Sequence, residues 1–153
     1  MAIDLNEVRV IDVFGRMRIH DDEPWPLKDK NYTRTRQFPQ FHLYAGKLTA
    51  HHVWKEGAGG EIRAEVHLNA VLNTESGAVN IHTLTKLYEG WTESAGDLAG
   101  VGEKDLHVAK GKKGLLEYHV KSEDSFLGSK DDDRVELALN ITNRDLRDVV
   151  KLT

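Results

Sequence analysis

Apolar and polar residues alternate strictly in two consecutive segments of the chain, 62–72 and 79–87. In the first segment one parity is apolar throughout: Ile62, Ala64, Val66, Leu68, Ala70 and Leu72. A period of two residues is that of a strand with one buried face. The second segment repeats it at Val79, Ile81, Thr83, Thr85 and Leu87. The polar residues 73–77 end in a glycine and join the two, so the sequence predicts a long β-hairpin.

Shorter stretches of the same alternation predict further strands at 7–20, 47–55, 106–109, 116–120 and 134–142. Within the first of these the apolar parity changes next to Gly15, which predicts a bulge or bend. The glycine-rich residues 56–60 predict a turn that pairs Trp54 with Ile62.

Two longer segments lack this alternation. Residues 27–40 and 88–102 show no period and are predicted to be loops. The glycine-bounded turn at 111–114 predicts a second hairpin, between the strands on its two sides. Residues 143–153 fit either a last strand or a short helix that begins at Asn143.

About seven to eight strands without a long helical pattern favour an all-β fold, an antiparallel β-sandwich of jelly-roll, immunoglobulin-like or C2-like type. The alternative is a small β-barrel. The 153 residues suffice for one core, so a single domain is predicted over 1–153.

Composition narrows the choice of partners. The formal net charge is -4 and charged residues make up 30% of the chain, which argues against nonspecific binding to nucleic acid phosphates. There is no cysteine, so disulfides and thiolate metal sites are excluded. The first residues do not resemble a secretory signal peptide, and no apolar run is long enough for a transmembrane helix. These observations leave the compartment open.

The polar parity of the hairpin and of its neighbouring strand is rich in histidine. With the pairing predicted above, His51 lies opposite Glu65, and the hairpin places His82 opposite Asn69, with His67 on the same face. Imidazole nitrogens suit zinc, and a carboxylate beside a histidine also forms a general acid–base pair. This face therefore predicts a metal site made of His51, Glu65, His67 and His82, and with it a small metal-dependent enzyme as one alternative.

Acidic residues cluster in segments 21–23 and 123–124 and in the run Asp131, Asp132 and Asp133. Calcium takes six to eight oxygen ligands, which loops at one end of a sandwich can supply. The spacing is not that of an EF-hand, and aspartate runs are also typical of solvated loops. The prediction is no cofactor, with calcium or zinc as the alternatives.

Several aromatic residues fall in the predicted loops: Trp25, Tyr32, Phe38, Phe41, Tyr44, Tyr88 and Trp91. Aromatic side chains in loops suit sugar rings or protein partners, although most of them are expected to close the ends of the sandwich. Trp91, Tyr32 and Tyr88 are predicted to form a binding site.

The sequence has no Gly-x-Ser-x-Gly, Walker or His-Glu-x-x-His motif. The leading hypothesis is therefore a non-enzymatic binding module that recognises a protein surface or a carbohydrate through loops at one end of the sandwich. A further alternative is a membrane-active or toxin-like component, because each hairpin strand has about the 9–11 residues that a transmembrane β-strand needs.

Overall fold

A computed structural model describes residues 4, 7–22, 26–90, 97–122, 125–126, 129–130 and 133–150. These residues form eleven strands and one short helix. The elements are β1 (Arg9–Asp21), β2 (Lys30–Gln37), β3 (Phe41–Leu43), β4 (Thr49–Ala58), β5 (Ile62–Leu72), β6 (Val79–Glu89), β7 (Asp97–Val108), β8 (Lys113–Lys121), β9 (Ser125–Phe126), β10 (Ser129–Lys130), β11 (Arg134–Asp145) and α1 (Leu146–Val150).

The long strands form two antiparallel sheets that pack face to face. The five-stranded sheet has the order β2-β1-β11-β8, with β3 also paired to β1, and the four-stranded sheet has the order β4-β5-β6-β7. Strands β9 and β10 pair only with each other among the described strands. The predicted all-β sandwich is confirmed, and within the described ranges the sheets do not close into the alternative barrel.

The predicted hairpin is present as β5 and β6, in the predicted register, with Asn69 opposite His82. Its apolar parity is buried between the sheets: Leu68, for example, is 0% exposed. Burying a leucine side chain contributes about 1.5–3 kcal/mol. The strict alternation of the sequence thus marks the strands that face the core.

Strand β1 has no bulge at Gly15, contrary to the prediction. Its pairing with β11 is continuous from Arg9 to His20, and the parity that contains Gly15 points inward along its whole length. Gly15 faces the core, and a Cβ at this position would lie only 2.7 Å from Cζ3 of the buried Trp54. Gly15 thus makes room for Trp54 and does not mark a bulge or a bend.

Two predicted loops contain strands. Strand β2 lies at 30–37, where Tyr32, Arg34 and Arg36 form the partly buried parity of an edge strand. Arginine stems can cover apolar surface while their charges stay in water, so this strand lacks the expected apolar parity. Strand β7 begins at residue 97, inside the predicted loop 88–102, with its small residues Gly100 and Gly102 against β8.

The predicted hairpin across 111–114 is also wrong, because its two strands belong to different sheets. β7 pairs with β6, whereas β8 pairs with β11, so the connection crosses from one sheet to the other. For residues 143–153, the sequence left open a last strand or a short helix. In the structure β11 continues to Asp145 and α1 follows at 146–150. Both a strand and a short helix are therefore present.

Candidate functional site

The outer face of the five-stranded sheet has a depression around Ala138 on β11. Arg16 of β1 pairs with Ala138 on one side, and Glu117 of β8 pairs with it on the other. The short alanine between two long side chains leaves a cavity of about 360 Å³. We call it the Ala138 cavity, and its lining consists of Arg16, Arg18, Glu117, Tyr118, His119, Glu136, Leu137 and Ala138.

The next row of the same face supplies the rest of the charged rim. Arg18 pairs with Glu136, which pairs with His119. The Arg18 guanidinium lies 3.8 Å from the Glu136 carboxylate, an exposed ion pair that contributes little to stability. Arg16 is exposed and has no hydrogen bond or ion pair with any residue that the structure describes. Its guanidinium is therefore available to a ligand.

The wall of the cavity is tied to the opposite sheet through Tyr118. The Tyr118 hydroxyl is in hydrogen-bond contact with Thr85 of β6, and burial raises the pKa of that hydroxyl. A neutral phenol held in this way keeps the neighbouring part of β8 in place.

An exposed aromatic ring lies in the row next to the cavity. Phe14 is 43% exposed and has Gln37 of β2 and Asn140 of β11 on its two sides. The sequence put Arg16 and Arg18 on the parity of Phe14, but the assumed change of parity at Gly15 hid their common face. The residues of this site were therefore missed at the sequence level.

This outer face is basic although the whole chain is acidic. By register, its acidic side chains are Asp12, Glu117 and Glu136. Its basic side chains are twice as many: Arg16, Arg18, Lys113, Lys121, Arg134 and Arg144. A local excess of positive charge attracts an anionic ligand even when the net charge of the protein is negative.

The outer face of the four-stranded sheet carries the predicted histidines, with one correction to their register. His51 lies opposite Asn69, not Glu65, because β4 extends to Ala58 and the turn is formed by Gly59 and Gly60 at positive φ. The displacement is an even number of residues, so each side chain keeps its predicted face.

The four predicted metal-site residues do not all converge. The rings of His51 and His67 are 5.8 Å apart, and Glu65 Oε1 lies 2.8 Å from His67 Nε2. His82 instead contacts Asp105 through Nδ1, and its Nε2 lies 3.4 Å from Glu103. The structure thus brings His51, Glu65 and His67 together and leaves His82 with two carboxylates of β7.

The predicted binding residues Tyr32 and Tyr88 lie at the same end of the sandwich, on different faces. Tyr32 packs partly against the core, with its hydroxyl beside Gly59. Tyr88 is on the outer face of the four-stranded sheet, and the Arg63 guanidinium lies 4.5 Å from the centre of its ring. Trp91 is outside the described residues.

Of the predicted calcium ligands, Asp131 and Asp132 lie outside the described residues. Asp133 is buried, and its Oδ1 accepts a hydrogen bond of 2.6 Å from the backbone N–H of Asp22. This hydrogen bond joins two of the acidic segments at one end of the sandwich. The Oδ1 atom of Asp133 therefore stabilises the loop structure there.

A group missed by the sequence reasoning lies nearby. His20, Asp22 and Asp29 each offer one ligand atom, all within 4.8 Å of one another, and His20 Nδ1 lies 2.8 Å from Asn31 Oδ1. One nitrogen and two oxygens are donors that a divalent cation accepts. The sequence gives only a weak signal for this group, because a loop separates Asp29 from His20.

A second cleft, of about 380 Å³, lies at the opposite end of the sandwich and includes Arg9, Leu72, Gly77 and Lys110. Arg9 is buried, and its Nε donates to Asn143 Oδ1 over 2.8 Å. Asn143 in turn donates to the carbonyl of Gly77 over 2.9 Å. The polar groups of Arg9 therefore hold strands together at this end.

Comparisons with known proteins give little further information. No protein-family model and no curated protein matches the chain. No helix among the described residues is long and apolar enough to cross a membrane. Among solved structures, the chain is similar to the Salmonella SPI-1 type III secretion injectisome secretin InvG in the open gate state, with 7% identity and a TM-score of 0.22 over 89% of this chain and 57% of that chain. A likeness at this level indicates neither a family nor a function.

Proposed function

We propose that this protein is a non-enzymatic binding module that recognises an acidic carbohydrate, one bearing carboxylate groups, at the Ala138 cavity. The observation that carries the proposal is the exposed guanidinium of Arg16, which has no partner among the described residues and borders a cavity beside the exposed ring of Phe14.

Arg16 supplies the anion-binding group. A guanidinium presents a planar set of N–H donors that matches the two oxygens of a carboxylate, and such paired bonds are among the stronger hydrogen bonds in proteins. Arg18 lies on the same strand and face but is already 3.8 Å from Glu136. Arg16 is therefore the residue expected to contact the acid group directly.

The remaining rim suits the hydroxyl groups of a sugar. Glu117 and Glu136 offer carboxylate oxygens as acceptors, and His119 offers a donor and an acceptor on its ring when neutral. A hydroxyl can donate to a carboxylate and accept from a guanidinium or imidazole at once. The alternation of acidic and basic groups around Ala138 thus fits a polyhydroxylated acid better than a simple anion.

Phe14 provides the apolar contact. One face of a sugar ring carries mostly C–H groups, which pack against the face of an aromatic side chain. Gln37 and Asn140 lie opposite Phe14 on the two neighbouring strands, and Asn140 is exposed. A saccharide chain could therefore lie across the sheet, from the cavity over Phe14.

The size of the site agrees with such a ligand. A volume of about 360 Å³ is at the lower end of the range for small-molecule sites, about 300–1,000 Å³. The site would hold one or two sugar rings, with the rest of the chain in solvent. The ligand would thus bind on a sheet face, whereas the sequence analysis expects binding through loops at one end of the sandwich.

Affinity electrophoresis tests the proposal. The protein is run through native gels that contain alginate (carboxylated) or dextran (neutral). Alginate is expected to retard the wild-type protein, and dextran is not. Arg16→Gln should weaken retardation by alginate at least tenfold, because it removes the charge while keeping a polar side chain.

Lys86→Gln is the matched control. Lys86 lies on the outer face of the other sheet, and its replacement changes the net charge by the same amount. It should leave retardation unchanged. Equal losses in both variants would mean that only overall charge matters, and no retardation by alginate would overturn the proposal.

A further inference from the structure

Two imidazole rings on the outer face of the four-stranded sheet lie side by side. His51 of β4 and His67 of β5 have ring centres 5.8 Å apart, with their planes tilted by 34°. They occupy diagonal positions of neighbouring strands, because His51 pairs with Asn69 and His67 pairs with Val53. Both rings lie on the sheet surface, opposite to the face that packs in the core.

Each ring has one nitrogen engaged by an oxygen of β5. His51 Nδ1 lies 2.7 Å from Asn69 Oδ1, and His67 Nε2 lies 2.8 Å from Glu65 Oε1. Amide and carboxylate oxygens only accept, so these two nitrogens carry the protons in the neutral rings. The lone pairs are then on His51 Nε2 and His67 Nδ1, which have no partner among the described residues.

We propose that His51 and His67 together bind a divalent transition-metal ion, with Zn²⁺ as the probe. Imidazole nitrogen suits zinc, copper and nickel. Metal-binding histidines nearly always donate their other N–H to a carboxylate or carbonyl oxygen, which is the role of Glu65 and Asn69 here. These two residues orient the rings, and water fills the remaining positions around the ion.

The same face contains two further histidines, His107 and His82, with which the His51–His67 pair can be compared. His107 has the same arrangement as His51, with Nδ1 2.9 Å from Asn80 Oδ1, but no second ring contact is present among the described residues. His82 has a carboxylate near each nitrogen, Asp105 and Glu103. A site made by the pair should therefore depend on His51 and His67 but not on His107.

Isothermal titration of metal-stripped, untagged protein with ZnCl₂ tests the site. The wild-type protein is expected to bind one ion per chain. His51→Ala and His67→Ala should each weaken binding at least tenfold. Glu65→Ala should weaken it by about 10- to 100-fold, the usual effect of removing a group that orients a metal-binding histidine. His107→Ala, the matched control, should bind zinc as the wild type does.

Circular dichroism of each variant without zinc shows that it is folded, which is expected because these side chains lie on the surface. Zinc binding that survives both His51→Ala and His67→Ala would overturn the proposal, as would equal losses in His107→Ala, which would indicate general binding to surface imidazoles. Alginate retardation of the same variants should be unchanged. The zinc site and the carbohydrate site can therefore fail independently.

Discussion

The outer faces of the two sheets cover the same core but carry different chemistry. The face of the five-stranded sheet has fixed positive charges, a cavity at Ala138 and an exposed phenyl ring. The face of the four-stranded sheet has one histidine on each strand: His51, His67, His82 and His107. Arginine stays protonated in proteins, whereas imidazole offers a lone pair when it is neutral. The first face is thus suited to an anion and the second to a metal ion.

This difference shows how a sandwich separates stability from recognition. The inner parity of β5 and of β11 is almost wholly buried and apolar, and such burial is the main determinant of stability. The outer parity is free to vary, so one fold can carry two independent sites. Substitutions at the two parities should accordingly have different kinds of effect.

The largest expected effect on stability is in the core, beneath the outer face of the four-stranded sheet. Leu68 is fully buried on β5, so Leu68→Ala should lower the free energy of unfolding by about 2–5 kcal/mol through lost burial and a residual cavity. Val71→Ala on the outer parity of the same strand, where the side chain is 45% exposed, is the control and should cost less than about 1 kcal/mol. Denaturant midpoints measure both. Equal losses would contradict the assignment of the two faces.

A smaller effect on stability is expected at two neighbouring residues of β1. Gly15 lies in the core, and Phe14 lies on the outer face of the five-stranded sheet. Gly15→Ala places a methyl group 2.7 Å from Trp54 and 3.0 Å from Leu139, so it should cost about 1–3 kcal/mol through overpacking. Phe14→Ala removes a much larger side chain from the surface and should cost less than about 1 kcal/mol. Thermal unfolding compares the two. A greater loss in Phe14→Ala would mean that the parity of β1 is inverted.

The smallest expected effect distinguishes a histidine of the inner parity from those on the surface. Burial, together with the charge of Arg36, lowers the pKa of His52 from its ordinary 6.5. The unfolded chain therefore binds a proton more readily than the folded one. The stability contributed by neutral His52 is fully present above pH 6.5 and is lost as the pH falls through the lowered folded-state pKa.

His52→Phe should consequently make the melting temperature fall less steeply between pH 7 and pH 5, because it removes that proton uptake while keeping a ring against Phe38 and Phe41. His119→Gln, an exposed position on the other sheet, serves as the control. The same slope in His52→Phe and in the wild type would refute the assigned pKa shift.

Sequence reasoning identified the strands that have one apolar parity and missed those that do not. β5 and β6 alternate strictly, and their register followed from the sequence, although β6 continues to Glu89, inside the predicted loop 88–102. β2 has no such parity, because arginine stems replace apolar side chains at the sheet edge. The crossing of the chain from β7 to β8 in the other sheet depends on packing between distant segments, which no local pattern specifies.

The candidate sites show a similar division. The sequence predicted the sheet face on which His51 and His67 lie, since the error in the register of β4 against β5 was an even number of residues and so kept each side chain on its face. Their separation, and the partners of each ring, required the true register of β4 and β5. The Ala138 cavity required three strands from distant parts of the chain to be aligned in one row, so no local signal could have revealed it.

The most direct test of the account is to determine which face binds the carbohydrate. Backbone amide resonances of ¹⁵N-labelled protein are followed by NMR during titration with short alginate oligosaccharides. Shifts are expected at residues 14–18, at Glu117 and at Ala138, and none along β4 or β5. Shifts on the outer face of the four-stranded sheet or at the end loops instead, or no shifts at millimolar oligosaccharide, would contradict binding at the Ala138 cavity.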